Sequence, residues 1–199
     1  AQGVPLILFD RVTFNAGVST VTIDDYDSAY RATKHLIEQG CTRIATMAGI
    51  QTHLNIYEER MRGYCDALKD HGHSYREEYV VSCDLNIENG KAGAARLWTL
   101  PQVPDGIFCM SDYAALGVIQ YLKAKGVRIP KEVAVAGFVN EPFATYIEPA
   151  LTTIDQHPVE MGRVTAKLFL EQIETNKAAF RPKNIILNAN LIIRESSLL

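Results

Sequence analysis

The chain has 199 residues, 47% of them hydrophobic and 22% charged, which is enough apolar content to bury a substantial core. With 20 Lys and Arg against 23 Asp and Glu, the net charge of −3 and the lack of any basic run argue against a surface that grips a polyanion. No stretch approaches the ~18 consecutive apolar residues of a membrane span, and no secretory leader is recognisable. Cys41, Cys65, Cys83 and Cys109 stand far apart, a pattern of reduced cytoplasmic thiols and not of a zinc site or redox pair.

Short apolar runs alternate with segments of helical period, the signature of β–α–β units on a parallel sheet. Pro5 to Phe9 reads as a buried strand and Thr20 to Ile23 as an alternating one. Asp25 or Asp27 is placed to cap a helix with Ala29, Ala32, Leu36 and Ile37 on one face, ending at Gly40. The strand Arg43 to Gly49 follows, then a polar loop from Gln51 to Asn55 and a helix from about Ile56 to His71. Tyr79 to Cys83 is a strand, followed by a helix from Glu88 to Leu100 whose Ala92, Ala95, Leu97 and Trp98 are expected on the buried side. Gly106 to Met110 is the next strand, and Ser111 or Asp112 caps a helix that runs to Gly126. Val133 to Phe138 is the last strong parallel-type strand.

Beyond it, Pro142 and Pro149 bracket an irregular piece, and Leu151 to Ile154 reads as a strand-like connector. A helix starts near Pro158, with Met161, Val164, Leu168, Phe169 and Ile173 forming an apolar face too wide to be left in water. That face is expected to pack on a second copy or on the larger lobe, or else to be loosely ordered. The two short β-type runs between Ile185 and Ile193 suit a terminal strand pair or one strand broken by a bulge.

In an open parallel sheet, ligands bind beyond the carboxyl ends of the strands. That rule gathers Asp10 and Arg11, the segment from Gly49 to Asn55, Asp84, Ser111 and Asp112, and Asn140 and Glu141 at one mouth. Arg60, in the first turns of its helix, can reach the same place and offer two parallel hydrogen bonds. Carboxylates, amides and one Arg, with Tyr57, Tyr113, Phe138 and Phe143 nearby, suit a sugar or another polyhydroxylated ligand. Each residue also has a plainer use. Asp25, Ser111 and Asp112 serve equally as helix caps, Arg60 can pair with Glu58 or Glu59, and the aromatics can be core. The chain has no G-x-G-x-x-G, no G-x-x-x-x-G-K-[ST], no H-E-x-x-H and no G-x-S-x-G, so neither an enzyme nor a cofactor is expected. The close pair His71 and His73 sits at a helix end, where a solvated turn outweighs a metal site.

Several segments in this order resemble the ligand-binding core of the lac-repressor and purine-repressor family of transcriptional regulators. They are Pro5 to Arg11, His35 to Gly40, Arg60 to Tyr64, Ser111 to Gly117, Ile129 to Phe138, Leu151 to Gln156 with Met161-Gly162, and Arg194 to Ser197. The resemblance implies a periplasmic-binding-protein-like α/β fold of type I, a doubly wound parallel sheet, with an effector held between two lobes. Residues 25–153 and 184–199 would form a complete C-terminal lobe, and 1–24 with 158–178 a remnant of the N-terminal lobe, without the DNA-reading headpiece. It implies ligand contacts from Asp10, Arg60, Asp84, Ser111, Asp112, Asn140 and Gln156, a homodimer, and operator DNA as a partner only through the missing headpiece. A periplasmic sugar-binding protein of a transport system is the alternative. Two departures stand out: Val139 occupies a position where the family commonly has a ligand-binding Asp, and Leu85 one where an aromatic is usual.

Overall fold

The computed structural model describes residues 6–13, 17–51, 54–174 and 181–199. Pro5 of the first predicted strand, positions 52 and 53 of the polar loop, and the 175–178 end of the predicted N-terminal-lobe remnant lie outside them.

The larger body is a four-stranded parallel sheet in the order β4-β3-β5-β6, formed by β3 (Ile44–Gly49), β4 (Val80–Cys83), β5 (Gly106–Cys109) and β6 (Ala134–Ala136). Alternate side chains of these strands feed two cores. Ile44, Ala48, Phe108, Met110 and Ala134 face α1 (Asp25–Glu38) and α2 (Asn55–Asp70), while Ala45, Met47, Ile107, Cys109 and Val135 face α3 (Ile87–Leu97) and α4 (Asp112–Ala124). The sheet is therefore covered on both sides, as its apolar strands require. Because β4 and β5 flank β3 on opposite sides, the strand order reverses at β3 and β5, and a crevice opens there.

The smaller body is a three-stranded parallel sheet of β1 (Ile7–Phe9), β2 (Ser19–Ile23) and β8 (Asn184–Leu187), in the order β1-β2-β8. The helix α5 (Pro158–Glu174) packs on β1 and β2, burying Met161 and Leu168 in the core that also holds Val21 and Ile23. The helix is neither laid on the larger body nor left without a sheet of its own, because β8 returns to complete a sheet wide enough to receive it. Phe169, Leu170 and Ile173 stay exposed, as do Leu6 and Phe9 at the β1 edge.

The terminal runs are neither a hairpin nor one bulged strand. Asn184–Leu187 pairs with β2, and β9 (Asn190–Ile192) pairs antiparallel with β7 (Thr153–Asp155). Residues 184–187 thus sit with the smaller sheet and not with the larger body to which the sequence assigned them. The chain passes between the two bodies after β2, after β7 and after β8.

Local departures from the sequence reading have simple causes. Asp24 caps α1, its Oδ1 accepting from the Asp27 amide at 2.8 Å, while Asp25 turns inward. In α3 the buried positions are Gly90, Gly93, Ala94 and Leu97; Ala92 is exposed and Trp98 only half-buried. The helix meets α4 backbone to backbone, so its contact face is read from glycines, which hydrophobic periodicity overlooks. A β-carbon at Gly90 would collide with the Ala114 carbonyl oxygen, and one at Gly117 with that of Ile87.

Candidate functional site

A cavity of about 430 Å³ opens at the carboxyl ends of the strands, between the two bodies. Each wall comes from the residues just past a strand. Asp10 and Arg11 follow β1, Gln51 follows β3, Asp84 and Asn86 follow β4, and Ser111 follows β5. Val139 and Glu141 follow β6, and Gln156 follows β7. The first two turns of α2 add Tyr57 and Arg60. Gly49 ends β3 without a side chain because the Tyr57 ring lies against it, where a β-carbon would meet the ring at 2.5 Å.

Arg60 is held on three sides. Its Nε donates to Asp25 Oδ1 at 2.7 Å, its Nη1 donates to the Met110 carbonyl at 2.9 Å, and its guanidinium carbon lies 3.6 Å from the centroid of the Phe138 ring. With only 3% of the residue exposed, the group is rigid, and Nη2 is left without a hydrogen bond among the described residues. Neither Glu58 nor Glu59 takes its charge; the partner is Asp25, which the sequence offered only as a cap. Burial pushes the Asp25 carboxyl up from its usual range, against the pull of Arg60 and with a smaller push from Asp10.

Gln156 is 8% exposed, lines the cavity, and its buried Oε1 has no hydrogen-bond partner. A buried acceptor of this kind costs ~1–3 kcal/mol while nothing donates to it.

Backbone strain gathers at the same rim. Asp10 and Asn140 have φ of 58° and 60°, and Val139 has φ of 118°, far outside the range a β-branched residue prefers. The turn at Asp10 carries the chain out of β1, with its amide still donating to the Val21 carbonyl at 3.0 Å.

Five of the seven predicted site residues, Asp10, Arg60, Asp84, Ser111 and Gln156, line the cavity. Two do not. Asp112 is fully buried behind the wall, where Oδ1 accepts from the Thr153 hydroxyl at 2.6 Å and Oδ2 from the Glu141 amide at 2.8 Å. It ties the start of α4 to the β6 turn and to β7, and burial raises its carboxyl above the usual range. Asn140 turns away, its Oδ1 accepting from Arg194 Nη2 at 2.8 Å, which leaves its neighbours Val139 and Glu141 to face the cavity. Ser111 lines the cavity and also caps α4, its Oγ accepting from the Tyr113 amide at 3.2 Å. Asn86, which the sequence analysis did not single out, lines the cavity and caps α3, its Oδ1 accepting from the Asn89 amide at 2.8 Å.

Among the described residues there is no group of three or more His, Cys, Asp or Glu able to hold a metal ion. His71 and His73 lie in the turn that ends α2. The four cysteines are free thiols, with Cys41 pushed up to about 12 chiefly by burial.

The model of the periplasmic binding protein-like domain matches residues 33–197 of this sequence. The chain belongs to the periplasmic binding protein-like family. Its relatives in that family include the HTH-type transcriptional repressor CytR of Escherichia coli K12, 31% identical over 193 residues that make up 97% of this chain and 56% of that protein. The HTH-type transcriptional regulator CelR of Thermobifida fusca is 36% identical over 181 residues, 90% of this chain and 52% of that protein. Among solved structures, a complex of the regulator CelR with cellobiose matches with a TM-score of 0.89 at 35% identity, over 98% of this chain and 59% of that one. A LacI family regulator from Enterococcus faecium with bound ribose matches with a TM-score of 0.88 at 25% identity, over 97% of this chain and 70% of that one. This periplasmic binding protein-like chain thus spans about half the length of the curated relatives it matches. The resemblance to lac-repressor-type regulators read from the sequence holds, as does the parallel α/β fold.

Proposed function

We propose that this chain is the effector-binding part of a cytoplasmic transcriptional regulator, that its ligand is a small polyhydroxylated molecule of the carbohydrate class, and that it works without covalent chemistry or a cofactor. The observation that carries the reading is the cavity. Residues past six different strands converge on one hollow, with an unpartnered buried acceptor at Gln156 and a pinned Arg60 whose Nη2 is left to give. Its volume lies within the ~300–1,000 Å³ common for small-molecule pockets. The named relatives are regulators, and two of the matching structures hold cellobiose and ribose, which favours this reading over a transport protein.

In this reading, ligand bridging the two bodies biases an equilibrium between open and closed arrangements. Their rigid-body shift is passed to DNA-reading parts of a homodimer, with coupling of the order of 1–3 kcal/mol. Calorimetric titration with cellobiose, ribose and related sugars, followed by a gel-shift assay of the full-length protein with and without the tightest binder, tests it. Saturable binding that changes operator affinity is expected. Binding with no effect on DNA affinity, or no binding by any sugar, overturns it.

A further inference from the structure

The cavity holds an unbalanced set of charges. Asp10, Asp84 and Glu141 line it, and none of these carboxylates forms an ion pair among the described residues. Of the two lining arginines, Arg60 contributes direction and not net charge, because Asp25 neutralises it at 2.7 Å with both side chains buried. Arg11 is exposed at the mouth, where water and salt screen it.

Of the three, Asp84 already accepts a hydrogen bond from the Gln51 side chain at 3.3 Å, whereas Glu141 stands on a fixed stretch of backbone beside the apolar wall with its side chain unengaged among the described residues. Its amide donates to the fully buried Asp112 at 2.8 Å, Pro142 follows it, and its neighbour Val139 presents an apolar wall to the same space. The half-buried Glu141 side chain has no hydrogen bond among the described residues, so its acceptor oxygens are left for the ligand.

We propose that this cavity selects uncharged, donor-rich ligands against their phosphorylated or carboxylated counterparts, and that Glu141 is the residue that sets the choice. The inference rests on the carbohydrate reading above. A phosphate or carboxylate entering the hollow meets unpaired carboxylates and loses its hydration to a site with no free buried cation among the described residues. A neutral polyol brings no charge against those carboxylates, and its hydroxyls can donate to them.

The test is calorimetric titration of the protein, Glu141→Gln and Glu141→Lys with ribose, cellobiose, ribose 5-phosphate, gluconate and inorganic phosphate, at low and high NaCl. A neutral sugar should bind the parent protein at least ~tenfold more tightly than any of the anions. The gap should narrow in Glu141→Gln, close or invert in Glu141→Lys, and shrink with salt, as charge repulsion does and steric exclusion does not. Thermal melts of the unliganded variants establish that they fold. Anions binding as tightly as neutral sugars, or a ratio unmoved by Glu141→Lys, would overturn this selection and leave the carbohydrate reading standing. If no sugar of either kind binds, both fall.

Discussion

Arg60 serves the cavity and the core at once, and the two duties separate under mutation. Arg60→Ala should weaken effector binding by more than ~tenfold, since it deletes a directed donor. It should also cost about 3–5 kcal/mol of stability, because Asp25 is left buried and unpaired. The double variant Arg60→Met with Asp25→Leu should recover most of the stability in urea titrations and none of the binding; recovery of both would remove Arg60 from the site. Gln156 gives the opposite signature. Its Oε1 is unsatisfied in the unliganded chain, so Gln156→Leu should leave the melting temperature unchanged or raised while ligand affinity falls. A variant with a lowered melting point and intact affinity would contradict that role.

At the scale of elements, α3 and α4 touch through Gly90 and Gly117 with no room for a methyl group. Gly117→Ala should destabilise by about 1–3 kcal/mol despite the better helix propensity of alanine, and a raised melting temperature would show that the helices can part freely. The C-terminal segment is clasped by a buried polar chain. His35 Nε2 lies 2.7 Å from Ser197 Oγ, which lies 2.6 Å from Thr152 Oγ1, while Ser196 Oγ donates to the Val135 carbonyl at 2.6 Å. Burial lowers the His35 pKa below its ordinary 6.5, so the fold holds the neutral ring more tightly than the charged one. The unfolded chain then takes up a proton that the folded chain refuses. Stability should be flat above pH 6.5 and fall as pH drops below it, by at most ~1.4 kcal/mol per unit from this group. Urea unfolding from pH 8 to 5 checks this: His35→Gln, which cannot titrate, should flatten the decline relative to the parent, and an identical slope would assign it to other groups.

For the whole molecule, net charge and charge placement bear on the partner. The 199-residue chain carries −3 and no basic run, so in a gel-shift titration it should show no salt-dependent affinity for operator DNA. Binding that weakens steeply with salt would mean that a basic surface forms on folding. Much of the architecture was legible beforehand, because strands buried on both faces must be continuously apolar and helices covering them must carry a stripe. Gly40 and Gly126, both at positive φ, end the helices where they were expected to. The fate of α5 was not legible. Its partner sheet needs β8, which comes from beyond the helix, and pairing over 164 residues, as between Thr20 and Asn184, leaves no mark in a local window.

The amino-acid order determined which residues stand just past each strand, and therefore which side chains could reach the crevice, because side-chain alternation and strand ends are local properties of the chain. Tertiary structure decided which of them face it. Asp112 and Asn140 occupy the expected positions and are drawn into bonds with Thr153, the Glu141 amide and Arg194, while Glu141 and Asn86 face the hollow instead. A polar side chain goes to whichever partner relieves its burial most, and those partners arrive from chain segments tens of residues away.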